Sequence, residues 1–251
     1  MIKKILLSAA ALVTLAGPTW AADFTLVGED DWFPYAAKAE GKPGYTGFAY
    51  DVITAAMQAA GKSVEFKTMP YARCMEVVKS AEELGCFNTN FSEDYAADYV
   101  FHKTPIFTTR VAILAHAGSA ESGLTGASLA NKTIGVTLGY DYGPTVDKNT
   151  SIKRDTAPQT EMSFKKAIAQ RVDYALAAEK VATALIGKTP EFKSGLKVVG
   201  YVDDFPPLYV AISKRHPKAA ELAAALDAGL AKIQADGTFK KIEADWDAKL
   251  K

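Results

Sequence analysis

The sequence predicts an α/β protein of two lobes, each a mainly parallel sheet flanked by helices. Three observations carry that prediction. Short strand-like runs alternate with segments of helical apolar spacing, an order that builds a parallel sheet covered on both faces. The alternation breaks at a stretch rich in Gly, Ser and Ala, residues 118–126, and then restarts. A late strand-like run, "LYVAIS" at 208–213, follows the second series and precedes two closing helices.

The elements are justified in chain order. Lys3 and Lys4 precede an apolar run at 5–16, and Pro18, Trp20 and Ala21-Ala22 lead into a polar start at Asp23. That order is the one a secretory signal peptide takes, with cleavage expected near Ala22. The run is short for a membrane span, and no later segment approaches the ~20 apolar residues a span needs. Residues 23–251 are therefore expected to be soluble and exported. Lys3 and Lys4 are the charged residues of the first 22, so 29 basic residues become 27 against 29 acidic ones, a formal charge of −2. A nearly neutral surface argues against nucleic acid, which needs clustered Lys and Arg. About 230 residues remain, enough for one large or two modest cores.

Residues 24–28 read as a strand, followed by a polar loop containing Trp32, Phe33, Pro34 and Tyr35. In "GFAYDVITAAMQAAGK", Phe48, Val52, Ile53, Ala56, Met57 and Ala60 form one apolar helix face that Gly61 ends. A strand at 64–67 precedes a helix over 71–82, which Pro70 starts and along which Ala72, Met75, Val78 and Glu82 keep helical spacing. Gly85 turns the chain into a strand at 86–90, and "RVAILAHA", 110–117, reads as a buried strand. Beyond 118–126 come a strand at 133–137, a turn from Gly139 to Gly143, a helix at 160–169, a strand at 173–176, a helix at 178–186 and a strand at 196–201. After 208–213, helices at 217–235 and 237–249 close the chain. Ligands of such sheets sit beyond the carboxyl ends of the strands, here between the lobes.

Cys74 and Cys86 are the cysteines of the chain. Metal binding needs more ligands at short spacing, and His102, His116 and His216 are scattered, so neither a metal site nor a cofactor is expected. In an oxidising compartment the pair reads as a structural disulfide clamping the start of helix 71–82 to strand 86–90. In the chain-entropy model, closing a loop of about a dozen residues contributes roughly 3 kcal/mol.

Four segments together resemble a known family. "GYTGFAYDVITAAMQAAG" is similar to its G-F-x-x-D helix, and "LANKTIGVTLG" to its L-x-G-K-x-I-G-V-x-x-G entry to a second lobe. "QRVDYAL" is similar to its G-R-V-D-A segment and "IQADGTFKKIEADW" to its closing D-G-T-x-x-K-I-x-x-x-W. These are the marks of the bacterial extracellular solute-binding proteins of family 3, which feed ABC importers, and the resemblance covers nearly the whole chain past residue 22. It implies a periplasmic-binding-protein type II fold, with residues 23–111 and 207–251 as lobe 1 and 112–206 as lobe 2. It also implies a monomer in the periplasm that captures a small polar solute, an amino acid or a related molecule, and meets a membrane permease transiently.

The family's pocket is carried over by position. Trp32 or Tyr35 holds the place of the aromatic that covers the ligand, and Tyr71 that of a second. In "PYAR", Arg73 has two readings, a bidentate fork for a carboxylate or a surface partner of Glu76 at helical spacing. Thr89 and Asn90, in the polar run from Asn88 to Asn90, fall where the family binds ligand with hydroxyl or backbone groups. Two departures bear on the ligand. The T-x-E-R arginine that holds an α-carboxylate is missing, since "SEDYAADYVF" has Tyr95 and the next arginine is Arg110. The aspartate after V-D-A that meets an α-amino group is replaced by alanine, with Glu179 further on. Arg73 or Arg110 is then the candidate positive charge, and Glu179 or Glu29 the negative one.

In "LGYDYGPTV", Gly139 and Gly143 let backbone approach a ligand, and Tyr140 or Tyr142 offers a hydroxyl or a stacking face. Asp141 opposes an anion there. No nucleophile elbow, zinc-helix or phosphate-loop motif occurs, so binding without turnover is expected. Two alternatives stand beside it: a dehydratase of cyclic prephenate-like acids with Glu179 or Glu29 as the acid, and a sensor that hands its closed form to a receptor.

Overall fold

The computed structural model describes residues 21–250 apart from Lys42. The expected signal segment therefore lies, up to residue 20, outside the described residues. β1 (Phe24–Glu29) leads into β2 (Asp31–Trp32), β3 (Ala36–Lys38) and β4 (Tyr45–Thr46), then α1 (Phe48–Ala59), β5 (Val64–Met69), α2 (Tyr71–Lys79), β6 (Gly85–Asn90) and β7 (Tyr99–Val100). Next come β8 (Val111–His116), β9 (Thr133–Thr137), α3 (Pro144–Asp147), β10 (Lys153–Ala157), α4 (Thr160–Ile168) and β11 (Tyr174–Ala178). They are followed by α5 (Glu179–Lys188), α6 (Pro190–Gly195) and β12 (Leu196–Val202); β13 (Leu208–Ser213), α7 (Ala219–Ala235) and α8 (Thr238–Lys249) close the chain.

Two five-stranded sheets form the lobes, in the orders β5-β1-β6-β13-β7 and β10-β9-β11-β8-β12. In each, three strands are parallel and a strand after a crossover runs antiparallel, β13 against β6 and β8 against β11. β13 belongs to the first sheet although it follows every strand of the second. Residues 101–110 and 203–207 link the sheets, and the first link pairs with the start of β13. The Ile106 N–H donates to the Leu208 carbonyl (2.7 Å) and the Leu208 N–H to the Phe107 carbonyl (3.0 Å).

Six helices form close to where the sequence placed them, although α2 ends at Lys79 rather than 82, and the short α3 and α6 were not expected. α1 buries Phe48, Val52, Ile53, Ala56 and Met57 and packs against α7 so closely that a Cβ on Gly229 would stand 1.9 Å from the Ala56 carbonyl oxygen. α8 is tied to α1 by a hydrogen bond from Trp246 Nε1 to Asp51 Oδ2 at 2.7 Å. α2 begins after Pro70, and its Cys74 is bonded to Cys86 of β6 with the two Cα atoms 5.7 Å apart, a normal span for a disulfide. Both cysteines are fully buried, so the staple fixes the first turn of α2 against the start of β6.

Two expectations change. The break in the alternation at 118–126 falls within the second sheet, because β8 before it lies between β11 and β12. The stretch folds back on β12, with the Leu124 N–H donating to the Val199 carbonyl (2.9 Å) and the Tyr201 N–H to the Leu124 carbonyl (3.0 Å). Small residues are used there because backbone approaches backbone: a Cβ on Gly200 would meet the Leu124 carbonyl oxygen at 2.0 Å. The loop expected after β1 is instead the antiparallel sheet β2-β3-β4, in which Trp32 pairs with Ala36 and Lys38 with Tyr45. It holds Trp32 at the edge of the first sheet.

Candidate binding site

A small cavity lies where the carboxyl ends of both sheets meet. From the first lobe it is lined by Glu29 at the end of β1, Trp32, Tyr71 just past β5, and Asn88 and Asn90 of β6. Tyr140 and Asp141 come from the turn after β9, Phe205 from the later link between the sheets and Leu208 from the start of β13. Its volume is about 30 Å3, room for roughly one or two waters. Tyr140 takes up most of the gap, edge-on to Tyr71 and to Trp32 with ring centroids 5.9 and 6.5 Å away.

The polar groups are unevenly served. The Tyr140 hydroxyl donates a hydrogen bond to Glu29 Oε1. Burial, reinforced by Asp31 and Asp30, holds the Glu29 carboxyl well above the ordinary carboxylate range. Burial also raises Asp141, with Asp147 adding to it, while hydrogen bonds from Tyr95 and Asn90 pull it back; the Tyr95 hydroxyl reaches Asp141 Oδ2 at 3.4 Å. Asn88 is 7% exposed, and neither its Nδ2 nor its Oδ1 has a hydrogen-bond partner among the described residues. Such a group costs on the order of 1–3 kcal/mol unless something supplies the bonds. Its backbone takes a left-handed φ of 67°, an uncommon conformation for a residue with a side chain and one found at functional positions.

Of the residues singled out from sequence, the structure brings Glu29, Trp32, Tyr71, Asn90 and Tyr140 to the cavity wall. The others lie elsewhere, each for a geometric reason. Tyr35 turns inward from Trp32, stacks on Phe107 at 4.8 Å and bonds Thr109 Oγ1 at 2.7 Å. Arg73 is two residues past Tyr71, about 200° around the helix, so its guanidinium points to solvent, 57% exposed, beside Glu76 (3.5 Å) and Glu82 (3.7 Å). Thr89 follows an irregularity at Asn88, where the register of β6 on β13 shifts (Thr89 opposite Tyr209, Phe87 opposite Val210), and its hydroxyl turns to α2, 3.5 Å from Met75 Sδ.

Arg110 and Glu179 pair with each other. Ala178 of β11 lies opposite Val111 of β8, so their neighbours meet at the sheet edge. Arg110 Nε and Nη2 each donate to a Glu179 oxygen at 2.7 Å, and the guanidinium lies 3.6 Å over the Tyr201 ring. That hydrogen bonding from Arg110 keeps the Glu179 carboxyl below its usual value. Tyr142 is buried in the second lobe, where its hydroxyl accepts the Thr137 N–H at 2.6 Å. Gly139 has a φ of +80° and sits against the start of α2, so that a Cβ there would touch Ala72 at 3.9 Å and Tyr71 at 4.0 Å.

Sequence reasoning assigned no ligand role to Asn88, Asp141, Phe205 or Leu208. The first had a signal: "NTN" is polar inside a strand that is buried at every position. Asp141 stood out for its charge in a glycine-flanked turn. Phe205 and Leu208 carry no local mark, since they reach the cavity through the crossover. Among the described residues no cluster of three or more His, Cys, Asp or Glu is arranged to hold a metal ion.

Comparison with known proteins places this geometry in a wider set. The family model for the bacterial extracellular solute-binding proteins, family 3, matches residues 24–249. No curated protein matches the chain. Among solved structures the chain is similar to an ancestral arginine-binding protein bound to glutamine, at 26% identity and a TM-score of 0.73, covering 88% of this chain and 97% of that one. It has the fold of an arginine transport periplasmic binding protein from Legionella pneumophila, at 15% identity and a TM-score of 0.74 over 90% of this chain and 100% of the other. It also has the fold of an ancestral amino-acid-binding protein described as a precursor of cyclohexadienyl dehydratase, at 23% identity and 0.68 over 88% and 94%.

Proposed function

The chain belongs to the bacterial extracellular solute-binding proteins, family 3, and from that premise we propose that it is a periplasmic carrier that traps a small polar solute between its lobes and delivers it to an ABC importer. Lobe 1 is residues 23–111 and 207–251, lobe 2 is 112–206, and export follows cleavage near Ala22. The carrier acts as a monomer. Trp32, Tyr71, Asn90 and Tyr140 contact the solute, together with Glu29, Asn88 and Asp141.

The observation that carries this reading is the Asn88 amide, buried and unpartnered on the wall of a cavity shared by both lobes. A solute satisfies such a group and touches both halves at once, so its binding free energy favours the closed form. The solved relatives with amino-acid ligands in their descriptions support the solute class.

One observation favours a dehydratase-like enzyme instead: a buried acid, Glu29, whose carboxyl burial pushes well above the ordinary carboxylate range, the direction a general acid needs. Against it, no lysine or arginine among the described residues lines the cavity to anchor the carboxylates of a prephenate-like substrate. Capture without turnover is therefore the conclusion. Mass spectrometry of solute released from natively purified protein tests it, together with X-ray scattering with and without that solute. A bound small molecule recovered unchanged, with compaction on binding, is the expected result. Release of a chemically altered product would establish the enzyme, and no solute with no compaction would remove the carrier.

A further inference from the structure

We infer that the cleft selects a small organic cation without a carboxylate, an amine or guanidinium held between Glu29 and Asp141 inside the aromatic walls of Trp32, Tyr71 and Tyr140. The inference rests on the solute-binding reading and narrows its ligand class.

Charge is the first argument. One carboxyl enters from each lobe, Glu29 and Asp141, and no basic residue among the described ones lines the cavity. The guanidinium groups of the surrounding elements are committed elsewhere: Arg73 beside Glu76 and Glu82, Arg110 to Glu179, and Arg154 to Asp147 at 2.9 Å. A carboxylate brought into this space would be desolvated beside two acids with no counter-charge, which burial makes costly. A cation gains from both. Zwitterionic amino acids fall between, since one end fits and the other is opposed.

The walls argue the same way. Aromatic faces attract ammonium and guanidinium groups, and more strongly when water is excluded. Trp32 is 6% and Tyr71 8% exposed, so both rings are shielded from bulk solvent. The independent sign of a ligand is Asn88, nine-tenths buried with both amide atoms unpartnered; its Oδ1 is an acceptor for an N–H of the guest. At present the Tyr140 hydroxyl donates to Glu29. A cation beside Glu29 favours the ionised carboxylate that burial alone disfavours, and its charged N–H then bonds that carboxylate more strongly than a neutral hydroxyl does, so the cation takes that place and Tyr140 moves aside. Gly139 and Gly143, at φ +80° and +98°, give the turn its freedom to do so.

Titration calorimetry on residues 23–251 with pairs that differ by one carboxylate decides the matter: agmatine against arginine, cadaverine against lysine, and succinate as an anion. In any pair that binds, the member without carboxylate is expected to bind at least tenfold more tightly, with no heat from succinate. Glu29→Gln and Asp141→Asn should each weaken the cation at least tenfold with thermal unfolding little changed; if one variant does not fold, the other decides. Arginine or lysine binding as tightly as its partner, binding of succinate, or unchanged cation affinity in a folded variant overturns the cation assignment and leaves the carrier intact. If none of the five binds, the solute released from natively purified protein decides. A cation without carboxylate supports the inference, any carboxylate overturns it, and no solute at all overturns the carrier reading as well.

Discussion

The hydroxyl of Tyr140, on the turn after β9, donates its hydrogen bond to the carboxyl of Glu29 at the end of β1. One side-chain pair thus joins the carboxyl edges of the two sheets, in a place where Glu29 is almost entirely buried. The cleft supplies part of its own closure. A solute stabilises the closed form only by the excess of its contacts over those it displaces.

Tyr140→Ala should therefore loosen the lobes. It removes the Glu29 bond and two edge-on ring contacts, while the cores of both lobes keep their other residues. X-ray scattering should show a larger radius of gyration than in the parent, with thermal unfolding shifted by no more than a few degrees. An unchanged radius would mean that other contacts across the cleft, such as Lys180 to Asp247 at 2.5 Å, hold it shut.

Trp32→Ala and Tyr71→Ala should each weaken the released solute at least tenfold, equivalent to about 1.4 kcal/mol, because each removes one aromatic wall. Arg73→Ala should leave affinity alone and change stability by less than about 0.5 kcal/mol, as exposed ion pairs contribute little. A large loss in Arg73→Ala would return that residue to the pocket.

The Cys74–Cys86 staple closes a short loop. Replacing both cysteines by alanine should lower unfolding free energy in urea by up to about 3 kcal/mol and weaken solute binding less than the loss of Tyr71 does. Full stability in the double variant, or two titratable thiols in native protein, would contradict the staple.

His102 sets an acid limit. Its Nε2 accepts the Val210 N–H at 2.9 Å while Nδ1 faces the Thr104 carbonyl at 2.7 Å, which together require the neutral ring with the proton on Nδ1. Burial pushes its pKa down to about 4, against pulls upward from Thr104 and Asp227. The unfolded chain then binds a proton that the folded one refuses, so stability is complete above about pH 6.5 and is lost as pH falls toward 4. The melting temperature of the parent should drop across that window more steeply than that of His102→Gln. Ring NMR shifts showing a protonated His102 at pH 6 would refute this.

Much of the architecture was legible. Helices such as α1 and α7 bury the faces that their apolar spacing marked, and β9 and β13 have the bounds the sequence predicted, 133–137 and 208–213. Less legible were short strands that owe their existence to partners. β7 is two residues long and pairs only with β13, more than a hundred positions away. β10 spells "KRDTA", polar at most positions, and becomes a strand because β9 offers it an edge. Of the residues picked out along the chain, Glu29, Trp32, Tyr71, Asn90 and Tyr140 reach the cavity wall, while helix phase, the register shift in β6 and strand pairing turn Arg73, Thr89 and the Arg110–Glu179 pair away from it.

By itself the sequence determined the alternation of strand and helix, the two cysteines available for a bridge and the family motifs, because periodicity, turn residues and motif spacing act over a few positions along the chain. Only the tertiary structure decided that β10 pairs with β9 at the edge of the second sheet, that Glu29 and Asp141 line one cavity from two different sheets, and that Asn88 is left without a partner there. Those outcomes depend on pairings between residues dozens to hundreds of positions apart. Local chemistry limits such pairings, and the packing of the whole fold selects among them.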